Sequence, residues 1–391
     1  FGSSTLHHAF SMASDAQRAA LAGRVLSSKQ ALILLTDKYA SHVVEAILAQ
    51  VLPALQRAGA DATSSLEANS LGFVLVSFVQ ALLTDGARVF LAAIRDKYAT
   101  HVLRGMMQVL GGHSFTPGSS GGEGRDGRKK AEVGTSLAAG GGHFAVPDEF
   151  TSTLAQIAAT LIRVDGESSE GDDALLSLAR HAAASPALQS LMGALSPSSE
   201  ELHTICARLL RWPQDQQAEE ADQPRGSKQG ASPPKETLAH VHALMTDRSG
   251  SHVLEVILKV SPRWWLPLYA HVFKGGLTEL VVHPIANHVV QALIAAAPNA
   301  PAFGKLLKEL LPSLPSLLTS RSGVVLRLAQ ESARLASGGK ELVRALRQHL
   351  APAAAAPAAT PLAGTPTDAA SKESGGGALV LALLAVGSNG G

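Results

Sequence analysis

The sequence predicts an all-α protein, a curved superhelical stack of helical repeats, and three observations carry that prediction. Hydrophobic residues make up 46% of the 391 residues and charged residues only 17%, which is enough apolar side chain for a large core. Aromatic residues are only 4% of the chain, and Leu, Ala and Val dominate, which favours helix-on-helix packing over a sheet. The third observation is a nine-residue segment that recurs along the chain.

Four clear copies of this segment are present. They begin at Asp37, Asp96, Asp247 and His283 and read DKYASHVVE, DKYATHVLR, DRSGSHVLE and HPIANHVVQ. From Ser251 the equivalent position recurs 36 residues later at Asn287, and a worn copy follows 37 residues further on at Val324. This is the period of a stacked helical repeat. Two more worn copies are predicted at 71–77 and 184–189.

Stretches rich in Gly, Pro, Ser or charge interrupt the array, because they bury too little apolar surface to order themselves. The predicted organisation is N-terminal repeats at 1–112, a low-complexity insertion at 113–147, divergent helical repeats at 148–212, a linker at 213–236, C-terminal repeats at 237–350, and a low-complexity tail with a short apolar segment at 351–391.

Composition argues against several classes of protein. The formal net charge is +1, so no overall positive field indicates a nucleic-acid-binding protein. Any case for RNA binding therefore depends on the positions of individual basic residues. A lone cysteine, Cys206, excludes an internal disulfide and a zinc site built from several thiolates. The apolar run 378–386 is far shorter than the roughly 20 residues of a membrane-spanning helix, so we expect no membrane partner.

The first copy of the segment has the pattern of a helix. Asp37 stands near its start, where a carboxylate can accept from unsatisfied backbone N–H groups. Four apolar residues then follow at a spacing that makes one stripe for packing on neighbouring helices. They are Val43, Val44, Ile47 and Leu48.

That stripe leaves a polar triplet, in which the first and last residues are four apart and a histidine follows the first. The four triplets are Ser41, His42 and Glu45; Thr100, His101 and Arg104; Ser251, His252 and Glu255; and Asn287, His288 and Gln291. Ser, Thr or Asn near a helix start can simply satisfy backbone groups, and the histidine can bridge repeats. Four polar copies instead favour a surface that reads one RNA base per repeat, with two side chains on the base edge and the ring stacked on the base.

These segments resemble the RNA-binding helices of Pumilio (PUF-type) repeats, which run acidic residue, any residue, aromatic, small, then the recognition triplet. Within that superfamily, the split array, the worn repeats and the segments that begin at His283 and Ser320 resemble the nucleolar Pumilio-like family. That family binds precursor ribosomal RNA during small-subunit assembly.

The resemblance implies base preferences. Ser with Glu is similar to a guanine-reading pair, and Asn with Gln to a uracil-reading pair, with the RNA antiparallel to the repeats. Ser251 with Glu255 would then read G and Asn287 with Gln291 would read U, so these two repeats predict 5′-UG-3′. The pair at the first copy would read another G.

Other positions depart from the pattern. Thr100 with Arg104 is not a standard reading pair, and Pro186 cannot stack as a ring does. Further side chains at the triplet positions of worn copies supply little base-edge chemistry, namely Phe73, Ser77, Val324 and Leu328. We therefore expect patchy base selectivity.

The position after the acidic residue is basic in most copies. Lys38, Lys97, Arg248 and, in a worn copy, Arg321 occupy it. Basic side chains beside helix N-termini can contact phosphates without a high net charge. A row of solvated surface charges is an equally good interpretation, and the sequence leaves both open.

From the resemblance we expect a nuclear, nucleolar protein that binds single-stranded precursor ribosomal RNA in small-subunit (18S) rRNA processing, together with ribosome-assembly proteins. The repeat histidines are in separate repeats and cannot share one metal ion, and no phosphate-binding loop or nucleophile motif is present, so we expect no metal, cofactor, small-molecule substrate or enzymatic activity. The alternative is an armadillo- or HEAT-type protein scaffold without nucleotide selectivity.

Overall fold

A computed structural model describes residues 2–26, 31–59, 65–84, 87–117, 143–167, 173–213 and 232–350. Most of the predicted insertion and linker, and the whole predicted tail, lie outside these residues. The chain divides into two compact units, Phe1–Trp264 and Trp265–Gly391. The described residues are helical and contain no strand, and a single isolated bridge joins His113 to His143. The all-α prediction is confirmed.

The first unit repeats a group of three helices: a short helix, a longer helix that carries the repeated segment, and a third helix. Its helices are α1 (Gly2–Met12), α2 (Asp15–Leu26), α3 (Ala31–Thr36), α4 (Ala40–Arg57), α5 (Leu71–Leu83), α6 (Arg88–Arg95), α7 (Ala99–Leu110), α8 (Asp148–Glu167), α9 (Ala174–Arg180), α10 (Ala184–Ala194), α11 (Glu200–Leu210), α12 (Lys235–Thr246) and α13 (Gly250–Val260), followed by a 3₁₀ turn, Pro262–Trp264.

Two rows of helices organise this unit. In the first, which we call the motif row, α1, α4, α7, α10 and α13 pack each on the next. In the second, the flanking row, α2, α5, α8 and α11 do the same. Residues such as Leu103 and Leu188 are fully buried within the motif row, so each repeat completes its core with its neighbours.

The turn before most motif helices is held by one side chain. In three copies an Asp Oδ1 accepts from two successive backbone N–H groups at 2.7–3.0 Å, as Asp37 does from Tyr39 and Ala40. The N–H groups of Ala40 and Tyr39 also hold the pKa of Asp37 below its usual range. Before α10, the Nδ1 atom of His181 accepts from the equivalent two N–H groups at 3.3 and 3.2 Å. The predicted role of the acidic residue is confirmed, and histidine can replace it.

The worn copy predicted at 71–77 is wrong. These residues begin α5, which lies in the flanking row between α2 and α8. The Leu-Gly-Phe-Val sequence resembles the small-then-apolar pattern of a motif helix, but α5 starts from Ser70, whose hydroxyl accepts from the N–H of Phe73. Phe73 and Ser77 are exposed on the flanking row and belong to no triplet.

The second unit contains two repeats of the same kind. Its helices are α14 (Trp265–Leu268), a π-helix (Tyr269–Phe273), α15 (Leu277–Leu280), α16 (Ala286–Ala295), α17 (Ala300–Leu310), a 3₁₀ turn (Leu311–Ser313), α18 (Leu314–Ser320), α19 (Ser322–Arg334) and α20 (Gly339–Leu350). The motif helices α16 and α19 pack on each other. His283 caps the turn before α16 through Nδ1, at 3.2 and 3.0 Å from the N–H groups of Ile285 and Ala286.

Two further features concern a single residue and the lengths of the helices. Cys206 is fully buried in α11, and burial raises the pKa of its thiol to about 12, so it packs as a small hydrophobic side chain. No single helix among the described residues is long and apolar enough to cross a membrane, and α5 with α6 reaches that length only as a pair bent by 99°.

The capping turn makes a testable prediction. Replacing Asp247 with Ala removes the acceptor of two backbone N–H groups and should lower the free energy of unfolding by about 1 kcal/mol. Asp247→His should keep most of that stability, because histidine does this task before α10 and α16. Urea unfolding at neutral pH measures both, and equal destabilisation by Ala and His would contradict this account of the turn.

Candidate nucleic-acid interface

The first residue of each triplet is buried at the start of its motif helix. Ser41, Thr100, Ser251 and Asn287 are only 2–4% exposed. Ser41 Oγ donates to the carbonyl of Lys38 at 3.1 Å, and Thr100 Oγ1 donates to the carbonyl of Ala183 in the next repeat at 2.7 Å. Asn287 Nδ2 donates to two carbonyls of its own turn, both at 2.9 Å. Three of the four side chains, those of Ser41, Thr100 and Asn287, therefore satisfy backbone groups in the free protein, the alternative that the sequence left open.

The second residue of each triplet is the most accessible. The rings of His42, His252 and His288 are exposed, and that of His101 is half-buried. An exposed imidazole at the same place in α4, α13 and α16 offers a flat face on which a base can stack. Of the three triplet positions, this one is the most exposed.

The third residue is held by its own triplet in three of the four copies. Glu45 is 4% exposed, and its Oε2 lies 3.0 Å from Nδ1 of His42. Glu255 Oε1 lies 3.1 Å from Nδ1 of His252. In the second unit, Gln291 Nε2 donates to Oδ1 of Asn287 at 3.1 Å. The polar end of each side chain thus has a defined direction before any ligand binds.

The triplets of α4 and α7 share one electrostatic environment. Burial lowers the pKa of His101, the charges of Arg104 and His42 lower it further, and the carboxylate of Glu45 opposes them. Burial also lowers the pKa of Arg104. His101 Nδ1 is buried with no hydrogen-bond partner among the described residues. The site between these helices therefore combines two rings, one carboxylate and one guanidinium.

One further polar pair lies on α10 and is absent from the predicted site. Ser185 and Gln189 occupy the first and third triplet positions of α10, and Gln189 Nε2 donates to Ser185 Oγ at 3.1 Å. The signal was present, because His181, Ser185 and Gln189 have the same four-residue spacing as His283, Asn287 and Gln291. Pro186 takes the ring position, which obscured the match.

The last motif helix carries no polar triplet. Val324, Val325 and Leu328 occupy the three positions in α19 and are at most 2% exposed. They pack into the core instead of facing solvent. Their burial agrees with the expectation that Val324 and Leu328 supply little base-edge chemistry, which stays a prediction.

The basic residues beside the capping turns fall into two kinds. Lys38, Lys97 and Arg248 are exposed. Lys97 Nζ lies 4.6 Å from the ring centroid of the following residue, Tyr98, a cation–π distance. Arg321 differs, since it is half-buried and donates through Nη2 to the carbonyl of Val282 at 3.0 Å. It joins two segments of the second unit.

Among the described residues, no group of three or more His, Cys, Asp or Glu side chains could hold a metal ion. The four triplet histidines lie on four different motif helices. The site consists of stacking rings and hydrogen-bonding groups.

The Pumilio-repeat class of protein is defined by three features that this chain has. These are repeats of three helices, a capped turn before the middle helix, and a ring between two hydrogen-bonding residues. The family model of the NOP9-like PUF repeat domain matches residues 1–376, and the chain belongs to this family. The resemblance noted from the sequence is confirmed.

Relatives agree with this assignment. Over 104 residues, 26% of this chain and 14% of the relative, the chain is 41% identical to Pumilio homolog 23 of Arabidopsis thaliana. It is 26% identical to nucleolar protein 9 of Pyrenophora tritici-repentis over 73% of this chain and 40% of the relative. A solved structure, APUM23-GGAGUUGACGG, matches with a TM-score of 0.62 at 23% identity, over 88% of this chain and 57% of that one. The chain thus spans well under two thirds of these proteins.

The two kinds of histidine environment predict opposite titration behaviour. The hydrogen bond that His252 donates to Glu255 raises the pKa of His252 above its usual value of about 6.5, whereas burial lowers the pKa of His101. NMR titration of the imidazole signals should separate the two, and Glu255→Gln should return His252 toward its ordinary pKa.

The same shift fixes the sign of a stability effect. Because the folded pKa of His252 is raised, its pairing with Glu255 stabilises the fold at pH values below the unfolded pKa. That stabilisation is lost as the pH rises through the raised pKa. A His252 that titrates below His101, or that ignores Glu255→Gln, would contradict the observed pairing.

Proposed function

We propose that this chain binds single-stranded RNA by accepting one base per polar triplet, and that its target is precursor ribosomal RNA. One observation carries the proposal. In α4, α13 and α16, an exposed histidine ring lies beside a polar side chain that is oriented by a hydrogen bond within the same triplet. A packing role alone explains neither the exposed rings nor the polar residues four apart.

The repeats α4 and α7 suggest how a base would be held. His42 and His101 are the rings of neighbouring triplets, and Glu45 acts electrostatically on His101 from the first of them. A base that enters between the two rings stacks on both faces, and its edge meets the Glu45 carboxylate. Stacking supplies affinity for any base, and the edge contact supplies selectivity.

The third triplet residue decides which edge fits. A carboxylate accepts hydrogen bonds only, so Glu45 and Glu255 suit the N1–H and N2–H groups of guanine. A carboxamide donates and accepts, so Gln291 suits uracil, which offers an N3–H between two carbonyl oxygens. From the resemblance to Pumilio repeats, we assign U to Asn287 with Gln291 and G to Ser251 with Glu255. Together these two triplets would bind the dinucleotide 5′-UG-3′.

The phosphates of the RNA backbone would bind exposed, positively charged side chains. Lys38, Lys97 and Arg248 are exposed beside the N-termini of three motif helices, where both the side chain and the helix dipole favour a phosphate. Arg321 is less suited, because it already donates to the carbonyl of Val282. Phosphate contacts are therefore proposed for the first three.

The biological setting is proposed from the family and from the names of the relatives. The name nucleolar protein 9 supports a nucleolar location. The resemblance to the nucleolar Pumilio-like family supports action on precursor ribosomal RNA in small-subunit processing. We assign the chain no enzymatic step, because binding and shielding or presenting RNA require none. From the same resemblance, ribosome-assembly proteins are proposed as further partners.

RNA binding is tested by fluorescence anisotropy at fixed salt, with the oligonucleotide GGAGUUGACGG and single-base variants of it as probes. Wild type should discriminate against replacement of a uracil that precedes guanine. The double variant Asn287→Ala/Gln291→Ala should lose that discrimination, roughly 10-fold at the uracil, and keep its preference for guanine.

The matched control removes two polar side chains from the exposed face of α20 in the same unit, as Glu341→Ala/Gln348→Ala, and should bind like wild type. If wild type shows only weak, salt-sensitive binding with no base preference, the base-reading proposal fails. The armadillo- or HEAT-like protein scaffold would then be the better account.

A further inference from the structure

We propose that His42 and His252 have a second task besides stacking: each is a positioning residue that orients the glutamate of its own triplet for the base edge. This inference rests on the proposed function and deepens it. It concerns the two Ser-His-x-x-Glu triplets, on α4 and α13, and it separates them from the other repeats.

The geometry is the same in both helices. Nδ1 of the histidine lies 3.0 Å from a carboxylate oxygen of Glu45 in α4, and 3.1 Å from one of Glu255 in α13. Each pair is three residues apart, so the ring reaches the carboxylate across one helical turn. Glu45 is almost fully buried, and a buried carboxylate needs a donor to hold its charge.

In the α4 triplet the serine is not available for this task. Ser41 Oγ gives its proton to the carbonyl of Lys38, so it cannot donate to Glu45 at the same time. In the amide-bearing triplets the first residue does the orienting instead, since Asn287 accepts from Gln291 and Ser185 accepts from Gln189. A glutamate has no proton to give, so its orienting partner must be a donor, and the histidine is the donor at hand.

The bond leaves the histidine free to stack. Nδ1 carries the proton toward the carboxylate, in either the neutral or the cationic ring, while the ring faces of His42 and His252 remain exposed. A carboxylate has about four acceptor sites, so one bond from histidine leaves room for the two N–H groups of guanine. The pKa of His252, raised by Glu255, agrees with a bond that favours the protonated ring.

Two substitutions separate the two tasks of His252. Phenylalanine keeps a ring face but has no donor, whereas asparagine places an amide N–H close to the position of Nδ1 but has no ring. With GGAGUUGACGG and its variants as probes, His252→Phe should keep overall affinity within about threefold and lose about tenfold in preference for guanine over adenine. His252→Asn should keep that preference and lose about tenfold in affinity.

His288→Phe is the matched control, because Gln291 of that triplet is oriented by Asn287 and not by the ring. It should leave the preference for uracil and for guanine unchanged. All three variants alter exposed side chains, and circular dichroism verifies that they fold.

The outcomes distinguish this inference from the proposed function. If Glu255→Gln abolishes the guanine preference and His252→Phe leaves it intact, base reading stands and the positioning role is overturned. The role is also overturned if His288→Phe reduces selectivity as much as His252→Phe does, since any ring change would then act alike. If wild type shows no base preference at any position, the proposed function and this inference fail together.

Discussion

The structure depends on the acceptor side chain that closes the turn before five of its motif helices, α4, α7, α10, α13 and α16. Each acceptor binds two successive backbone N–H groups, so each helix starts at the same point relative to its triplet. The acceptors are Asp37, Asp96, His181, Asp247 and His283. The residues four, five and eight positions later therefore have equivalent orientations in each repeat. Without a common starting point, a recurring segment in the sequence would not become a recurring surface in the fold.

Each motif helix must both pack on its neighbours and present a surface, and the triplet divides these tasks. In the α4 triplet the first residue is buried and bonded to the backbone, the second is exposed, and the third is oriented by the second. In the α16 triplet the first residue is also buried and bonded to the backbone, and it orients the third. In α19 all three triplet positions hold apolar residues, Val324, Val325 and Leu328, which pack in the core. Repeats that keep the fold can thus lose the surface, which explains an array with both polar and apolar triplets.

The sequence was sufficient for the fold class, for four motif helices and for the role of Asp37, because periodicity and capping are local properties. It failed at 71–77, where a flanking helix has a similar pattern of small and apolar residues, and only packing on α2 and α8 distinguishes them. The sequence also could not predict that the side chains of Ser41 and Glu45 are buried. Helical spacing gives the face on which a residue lies, but not which neighbour covers it.

The central claim is that a base enters between the rings of neighbouring triplets, and a structure of the chain with a single-stranded RNA tests it most directly. The account predicts one base between His42 and His101, with its edge on the carboxylate of Glu45 and with the bond from His42 to Glu45 intact. RNA bound only through its phosphates, with an empty gap between these two rings, would contradict it.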